Sequence, residues 1–577
     1  MCGYTYYINL SSNKKFNQND VNKILKLQTH RGPDFAKYLN VGKNHFFHNR
    51  LKVIDLSDRA NQPMADDNGN LIIFNGEIYN YKELIKKHKL KNLKTSSDTE
   101  VLLALYKKIG DNFVKDLNGI FTFLIYNQKF QQIYIARDRF GVKPLFYYHK
   151  NNIIIFSTEI KPILNLVKGV EINFNEVADY ISSGKYFHKK ETFFKDIEIF
   201  PASFFKVINL KKNKVIKLKK YWELKKIKKL ICKNYDHFYQ KFLDKFKTAL
   251  KYNFVSDVNI SLMLSSGNDS IFIHEFIKNK TTKNLNCFTY GWKEKKYDEI
   301  KRLKNINLKI KKHNKILIKT NEIFQNLKNL VYKFEGPIGG FGTIAQYDLF
   351  KQIKKNKIKV AFSGEGADEF LLGYSNFNAF LSKEKNQNKK FQNDKIYSPD
   401  GYELNDIDLI NKKLMKKNKN KSLKNLNQIL QNYIFHIKLP KLLLFYDKAS
   451  SLNGVEGRVP MLDFELAEFL YSNSFHYRLG KKPIKDYLKN QKLNFYSNKL
   501  NVNTPQREFF KNKLIMKKIL GIVKKGELAK RKILNLKNFK EKYNLYNQEK
   551  EISNSFFIWK VLNAEYFIQS YKKFLNS

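Results

Sequence analysis

Short apolar runs separated by turn residues fill the first two hundred residues of the chain. Runs of this length, bounded by Gly, Asn and Asp, are typical of β-strands packed on a core. We predict strands at Gly3 to Leu10, Leu71 to Phe74, Gly119 to Tyr126, Gln132 to Ala136 and Ile153 to Ser157. Between them, the apolar residues of Val101 to Lys108 recur with helical spacing, which predicts a helix. The first part of the chain is therefore expected to be rich in β-structure.

The pattern changes after Trp222, where longer helical stretches enclose two isolated strand-and-loop units. The strands of these units are predicted at Ile260 to Leu264 and Ile358 to Phe362. A lysine- and asparagine-rich run, Asn411 to Asn425, predicts a solvated helix or loop. A chain of 577 residues exceeds the size of one ordinary domain. We therefore predict a first domain over residues 2–210, a linker over 211–235 and a second domain over 236–577.

Composition argues against a membrane protein and against an exported, disulfide-rich one. Hydrophobic residues make up 42% of the chain, which is enough for sizeable cores, but the mean hydropathy is −0.52. No long uncharged apolar run occurs, and the first residues lack the pattern of a signal peptide. The three cysteines, Cys2, Cys232 and Cys287, show no metal-type spacing. We expect a cytoplasmic protein that has no membrane partner.

The net charge of +54 raises the question of a nucleic-acid partner. The excess is almost entirely lysine, spread along the chain beside asparagine and isoleucine, three residues favoured by AT-rich codons. Nucleic-acid readers use arginine for bidentate contacts, and this chain has few arginines. We therefore expect no nucleic-acid partner. Five of the arginines lie inside the motifs described below: Arg31, Arg50, Arg137, Arg139 and Arg458. Together with Arg507, we interpret them as positions where lysine would not serve.

Cys2 follows the initiator methionine directly, and removal of Met1 would give it both a thiol and an α-amine. An α-amine titrates near pKa ~7.7–8.0 and a thiol near ~8.5, so the amine is well placed to take the thiol proton. Nucleophile and base would then belong to one residue. A cysteine at the second position is more often incidental, so the neighbouring motifs decide between these interpretations.

Three of these motifs have both a structural and a catalytic interpretation. Asn75-Gly76 is a strong hairpin signal, but its side chain and backbone amide also suit an oxyanion. Ser97-Asp98-Thr99-Glu100 fits a capping box, and it also suits an Asp98 that faces the ammonium group of a ligand. Arg50 is either a surface cation or a bidentate clamp for a carboxylate.

The motifs of the first half occur in a fixed order: Met1-Cys2-Gly3, His30-Arg31-Gly32-Pro33-Asp34, His48-Asn49-Arg50-Leu51, Asn75-Gly76-Glu77-Ile78-Tyr79-Asn80, Ser97-Asp98-Thr99-Glu100 and Ala136-Arg137-Asp138-Arg139-Phe140-Gly141. In order and spacing they resemble the class II glutamine amidotransferases. The resemblance implies an N-terminal-nucleophile fold, with two β-sheets sandwiched between helices. It implies that Cys2 attacks the glutamine amide and that Asn75 and Gly76 form the oxyanion hole. Glutamine would be bound by Arg50, Leu51, Val53, Asn75, Gly76, Glu77 and Asp98, with Arg50 on its carboxylate and Glu77 and Asp98 at its amino end.

The second half contains no G-x-x-x-x-G-K-[ST] motif, so it is not a Walker-type ATPase. Instead, the strand Ile260 to Leu264 runs into Ser265-Ser266-Gly267-Asn268-Asp269-Ser270 and then a helix. Small residues at a helix start expose backbone N–H groups that suit a phosphate, although a simple turn would look the same. A second unit, Val360 to Glu369, places three carboxylates beside another glycine-bearing turn. Asp269 and Asp368 are natural Mg²⁺ ligands opposite a pyrophosphate, or else solvated acids at helix starts.

Three more motifs accompany these loops: Phe288-Thr289-Tyr290-Gly291, Tyr297-Asp298-Glu299 and Gly454-Val455-Glu456-Gly457-Arg458-Val459-Pro460-Met461-Leu462-Asp463. The set resembles the synthetase domain of glutamine-hydrolysing asparagine synthetases, and with the first half it covers the chain to about residue 510. It implies a doubly wound α/β domain of the pyrophosphatase type that cleaves ATP between the α- and β-phosphates. ATP would be bound by Leu264, Ser265, Gly267, Asp269, Ser270, Tyr290, Ser363, Gly364 and Lys499, and Mg²⁺ by Asp269 and Asp368. Glu365 would support formation and breakdown of an acyl-adenylate.

The resemblance therefore implies ATP and Mg²⁺ as cofactors and small molecules as partners: glutamine, ATP and an acceptor carboxylate. It also implies an enclosed passage for ammonia from Cys2 to the adenylate. The oligomeric state stays open, a homodimer included.

Three features of the second half depart from the family. Ser266 precedes Gly267 where two adjacent glycines are usual, and Tyr290 is bulkier than the usual residue. The segment Glu335-Gly336-Pro337-Ile338-Gly339-Gly340 replaces Asp-Glu-Pro and a following acid, and its glycines predict an acceptor pocket with more room and less charge. We expect aspartate as the acceptor and asparagine as the product. The alternative is an ATP-dependent amidotransferase for a different carboxylate, such as a sugar acid in surface-polysaccharide synthesis.

Overall fold

The computed structural model describes residues 1–187, 190–226, 230–280, 285–374, 377, 406–411, 414, 426–496, 504–548 and 554–575. Lys499 and nearly all of the run from Asn411 to Asn425 lie outside these residues. Within the described ranges the chain forms two antiparallel sheets and one parallel sheet. None of the helices in those ranges is long and apolar enough to cross a membrane.

The antiparallel strands all belong to the first part of the chain: β1 Gly3–Asn9, β2 Phe35–Val41, β3 Asn44–Arg50, β4 Met64–Ala65, β5 Leu71–Ile78, β6 Gly119–Asn127, β7 Gln132–Arg137, β8 Phe146–Lys150, β9 Ile153–Ser157, β10 Ile197–Ile199, β11 Phe204–Asn209 and β12 Lys214–Lys220. One sheet has the order β10-β8-β9-β1-β3-β2, and the other has the order β12-β11-β7-β6-β5-β4. The edge strand β12 lies in residues that the sequence assigned to the linker.

Alternation along β1 explains how these two sheets pack. Tyr4, Tyr6 and Ile8 are buried in the core between the sheets, whereas Tyr7 lies on the other face and packs edge-on against Phe16. The helices of this part are α1 Gln18–Gln28, α2 Tyr81–Lys87, α3 Asp98–Ile109, α4 Ile160–Leu166 and α5 Phe174–Ser183. Because α1 and α4 cover one sheet and α3 covers the other, the predicted sandwich of two sheets between helices is confirmed.

The parallel sheet belongs to the second part of the chain, with strands β13 Ile260–Met263, β14 Asn286–Trp292, β15 Lys312–Ile318, β16 Val360–Phe362 and β17 Glu456–Arg458. Its order is β15-β14-β13-β16-β17, so the chain reverses direction across the sheet between β13 and β16. Such a switch point opens a crevice at the carboxyl ends of the two strands. The predicted doubly wound α/β domain is confirmed.

The helices of the second part surround this sheet and extend to the end of the described chain: α6 Tyr235–Asn253, α7 Asn268–Lys280, α8 Glu299–Lys304, α9 Thr320–Phe334, α10 Phe341–Lys355, α11 Ala367–Phe370, α12 Leu426–Asn432, α13 Leu439–Ser451, α14 Phe464–Ser472, α15 Phe475–Arg478, α16 Lys482–Asn490, α17 Gln506–Lys511, α18 Lys513–Lys525, α19 Glu527–Lys530, α20 Leu536–Asn547 and α21 Phe556–Ser570. The last of them, α21, packs on both α9 and α5. Helix α21 therefore contacts both domains.

Candidate active sites

Cys2 lies immediately before β1 and is 8% exposed. Its backbone amide donates a hydrogen bond to Asn75 Oδ1 at 2.9 Å. Burial raises the pKa of the Cys2 thiol. The terminal amine of Met1, the Leu51 amide and the Arg50 charge act to lower it. Because the thiolate is the nucleophilic form, this cysteine needs a base close by to become reactive.

Asn75 and Gly76 lie within strand β5, so the hairpin interpretation of this dipeptide is wrong. Gly76 has a φ of +140°, and a Cβ there would collide with the carbonyl of Ile120. The Nδ2 atom of Asn75 is buried and has no hydrogen-bond partner among the residues that the structure describes. Since Oδ1 of the same carboxamide accepts a hydrogen bond from the Cys2 backbone amide, this unused donor lies next to Cys2. An oxyanion formed at Cys2 would satisfy it.

Arg50 is 3% exposed, so it is not a surface cation. Its terminal nitrogens donate to Ser57 O at 2.8 Å, Asn61 Oδ1 at 2.9 Å and Ile54 O at 3.1 Å, and also to Asp55 O. The guanidinium therefore orders the loop that follows β3. A carboxylate that binds Arg50 has to compete with these loop acceptors.

Two acids lie buried near the same site. Burial raises the pKa of Asp98 to about 7, and the charge of Glu456 adds to the effect. Burial also raises the pKa of Glu77 well above its ordinary value, again helped by Glu456. The Arg458 guanidinium approaches Glu77 at 3.9 Å. An ammonium group bound between Glu77 and Asp98 would lower both pKa values, so the pair suits a cationic ligand.

The capping prediction for α3 is confirmed only for its first residue. Ser97 Oγ accepts a hydrogen bond from the Thr99 amide at 3.1 Å and caps the helix. Glu100 instead accepts from the amides of Lys94 at 2.8 Å and Thr95 at 2.7 Å. Glu100 therefore anchors the loop before the helix, and Asp98 accepts from the Ile78 amide at 2.8 Å.

The two predicted nucleotide loops, 265–270 and 363–369, follow β13 and β16 and meet at the switch point of the parallel sheet. A Cβ on Gly364 would lie 2.8 Å from Cβ of Asp269, so the loops are in close contact. Ser266 donates its amide at 2.8 Å and its hydroxyl at 2.5 Å to the Glu299 carboxylate. A phosphate that uses the Ser266 donors therefore has to displace the Glu299 carboxylate.

Ser265 and Ser270 fix the shape of the first loop. The Ser265 amide donates to Ser270 Oγ at 3.0 Å, and the Gly267 amide donates to Ser265 Oγ at 3.2 Å. The buried Leu264 precedes the loop, and its amide donates to Phe288 O at 2.8 Å. The serines thus order this turn through side-chain bonds that glycines do not make.

Lys481 is a residue of this site that the sequence analysis missed. Its ammonium group lies 2.6 Å from Asp269 and 2.7 Å from Asp368. Burial disfavours its charged form, but the two carboxylates hold the pKa of Lys481 above its ordinary value. In a chain with so many lysines, nothing in the local sequence distinguishes this one.

The Asp269 and Asp368 carboxylates converge on one cation, as ligands of a shared ion would. Among the described residues there is no group of three or more His, Cys, Asp or Glu that could hold a metal by itself. Two carboxylates beside a phosphate-binding loop nevertheless fit Mg²⁺, which keeps several waters and takes substrate phosphate oxygens as ligands.

Glu365 stands beside these carboxylates in the second loop. Burial raises its pKa to about 7, and Glu369 adds to the effect. The Gln346 side chain, on α10, donates to Glu365 at 3.1 Å. A carboxyl group with a pKa near neutrality can both give and take a proton at working pH. Burial raises the pKa of the Tyr290 hydroxyl, and the nearby charges of Glu299 and Glu365 add to the effect.

Comparison with known proteins identifies a family model for each part of the chain. Residues 1–222 match the family model of the glutamine amidotransferase domain, and residues 241–492 match that of asparagine synthase. A putative glutamine-hydrolysing asparagine synthetase 2 of Methanocaldococcus jannaschii is 32% identical over 406 residues, which are 65% of this chain and 76% of that protein. The chain belongs to the family of glutamine-hydrolysing asparagine synthetases.

Other relatives match over a smaller share of their own length. The glutamine-hydrolysing asparagine synthetase 1 of Bacillus subtilis is 31% identical, over 63% of this chain and 57% of that protein. The amidase chyE of Penicillium rubens is 28% identical, over 67% of this chain and 61% of that protein. The chain thus spans less than two thirds of these two relatives.

In this member of the asparagine synthetase family, Arg31 joins the amidotransferase domain to the synthase domain. Its Nε donates to Cys2 O at 3.1 Å, and its terminal nitrogens lie 2.7 Å from Glu159 and 2.9 Å from Asp447. All three charged side chains are 2% exposed or less. The residue that carries the thiol is therefore held directly by a guanidinium that also binds the second domain.

Lys448 extends this group of buried charges toward segment 335–340, which the sequence analysis predicts beside the acceptor and which we call the acceptor segment. Its ammonium group lies 2.6 Å from Glu159 and 2.5 Å from Glu335. Glu335 also accepts the Ile160 amide at 2.8 Å and the Lys161 amide at 2.7 Å, at the start of α4. We refer to Arg31, Glu159, Glu335, Asp447 and Lys448 as the interdomain charge cluster.

Neighbouring side chains fill the space beside the three glycines of segment 335–340. A Cβ on Gly336 would collide with the Tyr186 hydroxyl, and one on Gly339 would lie 2.9 Å from the Phe445 ring. A Cβ on Gly340 would lie 2.7 Å from the Gln506 side chain. Large neighbours have taken the space that the absent side chains would occupy.

A small cavity lies between the two domains of this family member. It is lined from the amidotransferase domain by Tyr79, Asn118 and Ile120 and from the synthase domain by Val459, Leu462 and Phe464. Tyr79 also lies 5.4 Å from the Arg458 guanidinium, which approaches Glu77. The cavity thus adjoins the acids of the first site.

Proposed function

We propose that this protein is a glutamine-dependent asparagine synthetase. It converts ATP, L-aspartate, L-glutamine and water into AMP, pyrophosphate, L-asparagine and L-glutamate. The observation that carries the proposal is the presence of two sites in one chain. One is the buried Cys2 beside the unused Asn75 Nδ2 donor, and the other is the loop crevice that holds Glu365, whose pKa is about 7. Buried contacts such as that of Arg31 join the two domains.

In the first half-reaction, the α-amine that removal of Met1 gives to Cys2 takes the thiol proton, and the Cys2 sulfur attacks the carboxamide carbon of glutamine. The amine then passes this proton to the leaving nitrogen. The Asn75 Nδ2 and Gly76 amide donors stabilise the tetrahedral oxyanion, whose collapse releases ammonia and leaves a thioester. Water then hydrolyses the thioester to glutamate and restores the thiol. Leu51 and Val53 line the glutamine site, Arg50 binds the carboxylate of glutamine, and Glu77 and Asp98 bind its amino group.

In the second half-reaction, a carboxylate oxygen of aspartate attacks the α-phosphorus of ATP, and pyrophosphate leaves. The loop residues Ser265, Gly267, Asp269 and Ser270 hold the pyrophosphate, with Lys499 assigned the same role by resemblance. Leu264, Tyr290, Ser363 and Gly364 hold the AMP portion. Mg²⁺ held by Asp269 and Asp368 would neutralise phosphate charge. Lys481, which binds both carboxylates, neutralises them when phosphate is not bound.

Ammonia then attacks the acyl carbon of the adenylate, and AMP leaves. Glu365 takes the proton that the attacking nitrogen loses, because its pKa of about 7 leaves part of the population ionised at neutral pH. The cavity between Ile120 and Val459 lies on the domain interface that ammonia has to cross. Enclosure matters because ammonia in water is largely protonated near neutral pH.

A second acceptor remains a candidate, because the one carboxylate of the acceptor segment is used elsewhere. Glu335 is bonded to Lys448 and to two amides of α4, so it is not available to an acceptor. The alternative function is therefore amidation of a different carboxylate, such as a sugar acid of surface polysaccharide.

The test is pyrophosphate release from purified protein with ATP, Mg²⁺ and glutamine, with and without aspartate. Release that depends on aspartate, together with asparagine formation, supports asparagine synthesis. Glutamine hydrolysis without any dependence on aspartate contradicts it and favours a different acceptor carboxylate.

A further inference from the structure

The segment 336–341, which connects α9 to α10, contains three glycines: Gly336, Gly339 and Gly340. Pro337 fixes one backbone angle of the segment, but glycine has access to more backbone conformations than any other residue, so the three glycines leave the rest of its path open. In this structure its path is nevertheless enclosed, because Ile338 and Phe341 are each 1% exposed. The constraint on its shape has to come from the surrounding residues.

The C-terminal helix α21 supplies two of the constraints. Trp559 Nε1 donates to the Ile338 carbonyl at 2.9 Å, and the Ile338 amide donates to Asn563 Oδ1 at 3.1 Å. Both backbone polar groups of Ile338 are thus satisfied by side chains from one helix. Trp559 is 1% exposed and Asn563 is fully buried, so water does not compete for these bonds.

Gln506 supplies the third constraint. The Phe341 amide donates to Gln506 Oε1 at 3.1 Å, and Gln506 Nε2 donates to Ser555 Oγ at 3.1 Å. The Phe341 ring also packs against Trp559, with 5.5 Å between their centroids. A side chain at position 340 would occupy the place of the Gln506 carboxamide, since a Cβ there comes within 2.7 Å of its oxygen.

The constrained segment leads directly into the chemistry. Phe341 is the first residue of α10, and Gln346 of the same helix donates to Glu365. A shift of the segment therefore moves both the wall next to the acceptor and the partner of Glu365. Displacements of about 1 Å at such a distance from the reacting atoms can cost a hundredfold in rate.

We propose that Trp559, Asn563 and Gln506 are positioning residues of the acceptor site, so that helices α17 and α21, which carry them, are part of that site. The three side chains set the path of 336–341 in place of the acidic side chains that its glycines lack. This inference rests on the proposed function, because it takes 336–341 as the wall next to the acceptor carboxylate.

The test compares Trp559→Phe and Asn563→Leu with Tyr571→Phe as a matched control. The control also removes one donor near the end of the chain, since the Tyr571 hydroxyl donates to Tyr332 O at 3.0 Å in α9, outside the segment. We expect the first two variants to raise KM for aspartate about tenfold in the pyrophosphate assay. KM for ATP should stay within about twofold, and the control should match the wild type.

Amide hydrogen exchange provides the second measurement, which needs no acceptor. Exchange at Ile338 and Phe341 should become at least about tenfold faster in Trp559→Phe and Asn563→Leu, and stay unchanged in the control. Equal exchange in all variants would overturn the proposal, as would an equal rise of both KM values. A wild-type protein that ignores aspartate would contradict the proposed function, and the exchange rates would still decide the role of these residues.

Discussion

The Lys481 ammonium group lies 2.6 Å from the Asp269 carboxylate, and the same lysine lies 2.7 Å from Asp368. The two loops of the nucleotide crevice are thus joined by one buried cation. This arrangement keeps two carboxylates close together without repulsion, at the point where a pyrophosphate and its metal are proposed to bind.

Replacement of Lys481 by methionine should therefore leave two half-buried carboxylates without this cation. We expect a loss of about 1–3 kcal/mol in the free energy of unfolding, together with loss of ATP-dependent pyrophosphate release. Glutamine hydrolysis should persist below the unfolding temperature. Urea denaturation and the two activity assays measure these effects.

The neighbouring Lys482→Met is the control for that experiment. Lys482 is 45% exposed and lies 3.2 Å from Asp486, so its loss should cost about 0–1 kcal/mol. Equal destabilisation of the two variants would mean that Lys481 has no special role between the loops.

Substitution of Cys2 by alanine separates the two half-reactions. Glutamine-dependent product formation should fall to background, because the thiol that attacks the carboxamide is gone. Ammonium salts should still support product, since the nucleotide crevice is untouched. Cys232→Ala, at another buried cysteine, should keep both activities. If ammonium also failed in the Cys2 variant, the proposed division of labour between the domains would be wrong.

Glu365 predicts a specific dependence of stability on pH. Its pKa rises from 4.5 to about 7 on folding, so the folded state holds its proton more tightly than the unfolded state. The contribution of this group to stability is complete below pH 4.5 and is lost as the pH rises to about 7, in total about 3 kcal/mol.

Glu365→Gln should lack that dependence. The stability of the variant relative to the wild type should therefore increase by about 3 kcal/mol between pH 4.5 and pH 8, measured by urea denaturation. Glu322→Gln, at an acid that is 60% exposed, should show no such trend. A constant difference for Glu365→Gln would indicate that the folded-state pKa is not raised.

The interdomain charge cluster makes a fourth prediction. Lys448→Met removes the ammonium group that lies between Glu159 and Glu335, and both carboxylates are 1% exposed or less. The free energy of unfolding should fall by about 3–5 kcal/mol, in a differential scanning or denaturant experiment. Lys319→Met, at a lysine that is 71% exposed beside Glu322, should change it by less than about 1 kcal/mol.

Much of the fold could be predicted from local pattern. The strand predicted at Ile153 to Ser157 is observed with those bounds, and Gly119 to Tyr126 extends by one residue, because short apolar runs between turn residues have few alternatives in a sandwich. The segment Leu71 to Phe74 was predicted too short. Its strand runs on to Ile78, because the turn signal Asn75-Gly76 lies inside it and faces Cys2.

The contacts between the domains could not be predicted in the same way. Glu335 begins the segment that departs from the family, and only the fold places it at the start of α4 beside Lys448. Lys481 was hidden by the abundance of lysine, which removes the information that a charged residue usually carries. Arginine is scarce in this chain, so an arginine within a motif is a better indicator of a buried or functional position. Arg31 and Arg458 are both fully buried at the domain interface.

The position of Arg31 has a practical meaning for anyone who recombines this chain with a relative. A fusion point in the exposed strand Lys214–Lys220 would disturb few contacts at the point of fusion itself. The domain interface, however, is the buried surface where Arg31 binds Glu159 and Asp447. A hybrid that takes one domain from a relative would keep Arg31 or Asp447 without its partner of opposite charge. The two domains can therefore be exchanged only together with matching buried charges at their interface. The sequence of the segment that links them matters less.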